Sequence, residues 1–182
     1  LDDAGWTLKP GETVRTKDGV PLAIDFCFLG NDAAHKAVAE VLPGQFAREG
    51  VALALVGEEE DSYLRRQRDG EFGMIMNPTW GPPFEPHAML SSMRTPSHAD
   101  YEAQSGLTMR DELHADITRV LGEMDGEKRA ARYRRTQDTP HEQAVYLPLN
   151  YVTVPAVFRS GAVKNFSFAP VKSRIPLDRL QK

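Results

Sequence analysis

The chain has 182 residues, 41% of them hydrophobic and 26% charged, with a formal net charge of −4. This is ordinary globular composition, enough for one domain with a real core. A mildly acidic chain has no general electrostatic pull toward nucleic acid or anionic lipid, and no apolar run reaches the about 18 residues that a membrane span needs.

The opening LDDAGW reads as the last turn of a helix, with Gly5 just past its end. A chain that starts there reads as a piece excised from something longer, or as a short tail. In TVRTKDGVPL the Asp18-Gly19 pair is a hairpin signal, because glycine takes the positive φ such turns require. Leu22–Leu29 is an apolar strand. It holds Cys27, the one cysteine, which reads as a buried structural thiol with no partner for an internal disulfide.

From Asp32 to Glu49 the apolar residues Ala34, Ala37, Val38, Val41, Leu42 and Phe46 recur at helical spacing. Pro43 should bend this helix and Gly50 should end it. Val51–Val56 is a second strand. Glu58–Asp69 is a short polar helix with its acidic residues at the positive end of the helix dipole, stopped by Gly70. Phe72–Met76 is a third strand. The order β-α-β-α-β predicts a parallel or mixed sheet with right-handed crossovers.

Next comes TWGPPFEPHAMLSSMRTPSH, Thr79 to His98, dense in proline, methionine and aromatic residues, with helical character only in its middle. Met109–Glu123 and Glu127–Gln137 follow as two helices joined at MDGE. The basic run Lys128–Arg135 lies at helical spacing and reads as a solvated helix face. QAVYLPLNYVTVPAVFRSG is strand-like, but Pro148 and Pro155 make it an edge or bent strand. The tail from Ala162 to Lys182 is mostly irregular.

No nucleophile elbow, P-loop, dinucleotide fingerprint or H-E-x-x-H motif occurs. His35, His114 and His141 fall in predicted helices and read as surface or packing residues. His87 and His98 flank AMLSSMRTPS at a spacing that matches no structural zinc pattern. A single histidine donating to a metal already held by another molecule needs no spacing rule, and neutral imidazole suits nickel, copper and zinc. Trp80 and Phe84 follow the third strand directly. Ligands of open α/β sheets lie beyond the carboxyl ends of strands, so these rings read either as a ligand wall or as a cap on the core. A catalytic metal on Glu85, His87 and His98 is a further alternative.

The run EEEDSYLRRQRDGEFGMIMNPTWGPPFEPHAMLSSMRTPSHADYEAQ resembles the nickel-binding branch of the peptide/nickel solute-binding family of bacterial ABC importers. The resemblance extends from DDAGW through GVPLAIDFCFLGND to HEQAVYLPLNYV and FAPVKSRIP, nearly the whole chain. The wider family shares only a Tyr-x₆-Gly-x-(Phe/Tyr) element, a Trp and an acidic-Pro pair; the run from Thr79 to Asp100 is specific to the nickel-binding branch.

The resemblance implies an α/β fold: the C-terminal lobe of a two-lobed, type II periplasmic-binding-protein-like fold, a mixed sheet flanked by helices. Residues 1–182 would be a single domain, mainly the second lobe. Residues 144–182 would supply return strands and a tail toward the hinge and first lobe. It implies a periplasmic, monomeric binding protein and not an enzyme, with no nucleic-acid partner and no organic cofactor. The protein would bind nickel as a complex with a small-molecule chelator and deliver it to the membrane permease subunits of an ABC importer. The family position that binds the metal is occupied by His98. Trp80 and Phe84 would line the cleft, with the methionines packed beneath. Phe84 stands where the family often has tyrosine; it keeps the ring and loses the hydroxyl, which leaves a peptide or other small solute as the alternative ligand. His87 matches the pattern and carries no metal role, reading as structural.

Overall fold

A computed structural model describes residues 1–78, 86–151, 155–164 and 166–168. Length and composition predict one domain; the chain gathers into two compact units. The first comprises Leu1–Asn77 and Thr95–Ser105, the second Pro78–Arg94 and Gly106–Lys182.

The first unit opens with a 3₁₀ turn, Asp2–Ala4, closed by Gly5, whose N–H donates to the Asp2 carbonyl at 2.8 Å. An antiparallel pair follows, β1 (Thr16–Lys17) and β2 (Val20–Pro21). Asp18 and Gly19 make the turn between them, with φ of 52° and 80°, the hairpin pattern the sequence signals. Then β3 (Ala23–Leu29), α1 (Ala33–Arg48), β4 (Ala52–Glu58), α2 (Glu60–Asp69) and β5 (Met74–Ile75) alternate. The three strands form a parallel sheet in the order β4-β3-β5, and the antiparallel pair is a separate sheet.

Helix α1 carries the chain from β3 to its neighbour β4. Helix α2 then carries it back past β3 to the other side. Right-handed crossovers running in opposite directions put α1 and α2 on opposite faces of the sheet. The burial of β3 follows from this. Phe26, Cys27 and Phe28 are exposed by only 2%, 0% and 7%. Alternate strand residues face opposite sides, so three buried in a row require cover on both. Phe26 and Phe28 pack with Ala39 and Leu42 of α1 and with Leu53, Met74 and Met76. Burial of each phenylalanine contributes about 1.5–3 kcal/mol. Cys27 faces the other way. Burial pushes its thiol pKa up, which makes it the inert core thiol expected.

Helix α1 starts where Asp32 caps it: Oδ1 accepts from the N–H of Ala34 at 2.8 Å and of His35 at 2.9 Å. Pro43 lies inside α1, and Glu49 and Gly50 stop it. The third strand is shorter than Phe72–Met76. The Gly73 N–H donates to the Asp25 carboxylate at 2.8 Å and not to a ladder carbonyl, so pairing begins only at Met74.

After Asn77 the chain leaves the first unit and forms α3 (Pro86–Ser92). It re-enters at Thr95 to form α4 (Ala99–Glu102), then builds α5 (Arg110–Leu121) and α6 (Gly126–Glu142) in the second unit. That unit's core is Leu90 and Met93 against Leu113, Ile117 and Val120 of α5 and Tyr133 of α6. Met93 is completely buried in this core, and the Trp80 and Phe84 rings that the methionines are expected to underlie lie outside the described residues. Helix α6 runs past Gln137 to Glu142. Pro140 lies in its last turn, buried like Thr136, and the packing outweighs the hydrogen bond proline withholds. The basic run is a solvated face: Lys128 and Arg132 are exposed and pair with Asp125 and Glu123.

Residues 143–161, read as bent strand, form no strand among those described, and residues 152–154 lie outside them. Pro148 and Pro155 withhold ladder donors, and Leu147, Tyr151 and Val157 are exposed. Among the described residues no helix is long and apolar enough to cross a membrane.

Candidate ligand-binding site

The strand order locates a candidate site. The helices that follow β3 and β4 cover opposite faces of the sheet, and the chain leaves the carboxyl end of β5 beside that of β3. Ligands of open α/β sheets bind beyond the carboxyl ends of the strands, which makes these ends the place to look for a site. The end of β3 leads into Gly30, Asn31 and the Asp32 cap. His35, on the first turn of α1, is buried, and its Nδ1 accepts from the Leu29 N–H at 3.3 Å, which places the ring proton on Nε2. Asn31 Nδ2 donates to Glu59 Oε2 at 3.4 Å across the ends of β3 and β4. The loop that leaves β5 begins at Met76 and Asn77. Trp80 and Phe84, the predicted ligand wall, and Glu85 lie in the next residues, outside those described.

His98 is half-buried at the head of α4, in extended backbone with φ −94° and ψ 143°. Its carbonyl accepts from the N–H of Tyr101 at 3.0 Å and of Glu102 at 3.1 Å, and its own N–H donates to the Thr95 carbonyl at 3.2 Å. Ala99 and Asp100 behind it are buried. Gln104 is fully buried, and its Nε2 donates to the Asp100 carbonyl at 2.5 Å. Helix α4 packs on α2. Glu102 lies against Gly70, the left-handed C-cap of α2 at φ 69°, where a β-carbon would stand 3.1 Å from Glu102 Oε2.

Tyr63 of α2 links this seat to the end of β5. Its hydroxyl donates to the Met76 carbonyl at 2.5 Å, at the point where the chain leaves β5. Burial, reinforced by the nearby Cys27 and Asp100, pushes its pKa up to about 12, so the phenol remains a neutral donor. One helix therefore holds both the exit of β5 and the helix that carries His98. Sequence reasoning assigned no role to Tyr63, Asp32 or Gln104. The Tyr-x₆-Gly-x-(Phe/Tyr) element was the available signal: its tyrosine is this buried donor and its glycine is the cap under Glu102.

His87 is exposed on α3 and belongs to the second unit, whereas His98 belongs to the first. Among the described residues no group of three or more metal-binding side chains is gathered. His114 lies on α5; burial, with Arg110 and Arg94 nearby, holds its pKa below the usual histidine value.

The architecture defines a class: the chain has the α/β fold of a type II periplasmic binding protein. No family model matches it. The particular likeness is to the nickel-binding periplasmic protein of Escherichia coli strain K12, with 43% identity over 181 residues, covering 100% of this chain and 34% of that protein. The NikA of Brucella suis, solved in complex with Fe(III)-EDTA, superposes with a TM-score of 0.91 at 46% identity, over 100% of this chain and 36% of that one. The NikZ of Campylobacter jejuni, solved with Ni(L-His), shares the fold at 19% identity and a TM-score of 0.60, over 79% of this chain and 29% of that one. Over its whole length, then, the chain is homologous to part of a nickel-binding periplasmic protein, and it spans about a third of the length of the first two relatives. These relatives are binding proteins and not enzymes.

Proposed function

We propose that this chain is the second, C-terminal lobe of a periplasmic solute-binding protein. The two-lobed protein would bind nickel as a complex with a small chelator and deliver it, as a monomer, to the permease of an ABC importer. His98 contributes the protein's metal ligand, Trp80 and Phe84 line the cleft, and residues 144–182 lead back toward the first lobe.

One observation carries the reading. His98 stands half-buried at the head of a seated helix, with no three-residue metal cluster among the described residues. One imidazole leaves most of nickel's coordination positions open, and a chelator that arrives with the metal supplies ligands for them. The whole-length likeness to a nickel-binding periplasmic protein adds support.

The test is calorimetric titration of the two-lobed protein with nickel(II) plus L-histidine. Losing a residue that merely supports a metal ligand typically costs 10–100-fold, so His98→Ala should weaken binding by about a hundredfold or more. Unchanged affinity overturns the metal role. Phe84 favours a second reading, a peptide or other small solute in the same cleft. Thermal shifts with dipeptides and with nickel–histidine separate the two.

A further inference from the structure

Ser97 is exposed and has a φ of 81°, in the left-handed region that penalises any residue with a side chain. It is the third residue of the turn Thr95-Pro96-Ser97-His98, which the His98 N–H closes on the Thr95 carbonyl at 3.2 Å. Proline second and positive φ third are the type II pattern, in which glycine or asparagine usually takes the third place. A serine there is strained, and the strain adjoins the residue read as the metal contact. On the other side of His98 the chain is held fast. Asp100 and Gln104 are buried and hydrogen-bonded to each other, and Glu102 lies against Gly70. His98 is thus bounded by a seated helix after it and a left-handed serine before it.

We propose that Ser97 is a positioning residue, whose left-handed backbone sets the direction from which the His98 imidazole meets the chelated metal. The inference rests on the reading of His98 as the metal contact. The role belongs to the backbone conformation and not to the hydroxyl. A turn held in its binding geometry also lowers the ordering cost of association.

The experiment uses the two-lobed protein, titrated with nickel(II) plus L-histidine, with the ligand-field spectrum of bound nickel recorded for each variant. Ser97→Ala and Ser97→Asn keep a β-carbon in the turn and should bind as the parent does. Ser97→Gly keeps the φ but loosens the free turn, so affinity should stay within about fivefold. Ser97→Val resists the left-handed region and should lose about tenfold or more, with a changed nickel spectrum. A valine variant that binds like the parent, while His98→Ala loses binding, overturns the role of Ser97 and leaves the metal reading standing. Equal losses in the alanine and glycine variants assign the effect to the hydroxyl and also overturn the proposal. If His98→Ala binds like the parent, the metal reading falls and this inference falls with it. Should the valine variant not fold, Ser97→Thr, which is β-branched and keeps the hydroxyl, takes its place with the same sense of loss expected, and parental binding by it overturns the role of Ser97.

Discussion

Tyr63 was legible in the sequence only as one letter of a loose pattern, yet it ties α2 to the exit of β5. Its hydroxyl donates to the Met76 carbonyl. Tyr63→Phe should destabilise the fold by about 1 kcal/mol, the net value of one such bond, as read by urea unfolding near neutral pH. The pH dependence has a definite sign. Burial raises the folded-state pKa from the ordinary 10.0 to about 12, so the unfolded chain loses the phenol proton first. The stabilisation is fully present below the unfolded pKa and disappears as pH rises through about 10 toward 12. The phenylalanine variant should lose this part of the alkaline decline; an identical decline in both proteins would show that Tyr63 is not its source. Asp32 behaves in the opposite sense. Its carboxylate accepts the His35 and Ala34 N–H groups and is held below the usual carboxylate range, so its contribution is lost as pH falls.

At the scale of elements, strands and helices were largely readable because their signals are local. Asp18-Gly19, the helical periodicity from Asp32 to Glu49 and the Gly70 stop each act within a few residues. The third strand was overestimated because its limit is set by Asp25, a residue 48 positions away that takes the Gly73 N–H. This gives a prediction. A β-carbon on Gly73 would stand 2.8 Å from Asp25 Oδ1 and 2.9 Å from Ile24 Cγ2. Gly73→Ala should therefore push β5 off β3 and cost about 1–3 kcal/mol in urea unfolding, as overpacking generally does. A change below about 0.5 kcal/mol, the range of ordinary surface substitutions, would mean that this edge of the sheet yields freely. The strand-like composition of 143–161 misled for a related reason. Apolar residues and β-branching raise strand propensity, but a strand also needs a partner edge, and prolines 148 and 155 withhold donors.

At the scale of the whole molecule, the stretch from Thr79 to His98 is divided. Residues up to Arg94 belong to the second unit, and His98 to the first. The chain spans about a third of the relatives it matches along its own full length. If it acts as one lobe of a two-lobed cleft, it presents only part of the ligand's surroundings. The chain alone should then bind nickel(II) plus L-histidine about a hundredfold more weakly than the two-lobed protein, because a ligand left partly in water recovers less of its association cost. Equal affinity in side-by-side titrations would refute the two-lobe reading.

The sequence by itself determined the alternation of strands and helices, most of their ends and the burial of Cys27. These depend on periodicity and on turn and stop signals, all expressed by neighbours along the chain. Only the tertiary structure decided that β5 returns to the far side of β3, which sets the carboxyl ends of both strands side by side. It alone decided that Tyr63 and Gly70 hold the surroundings of His98, and that His87 and His98 part company. Those outcomes depend on contacts between residues far apart in sequence, and no local pattern encodes which distant partner a strand edge or helix face will meet.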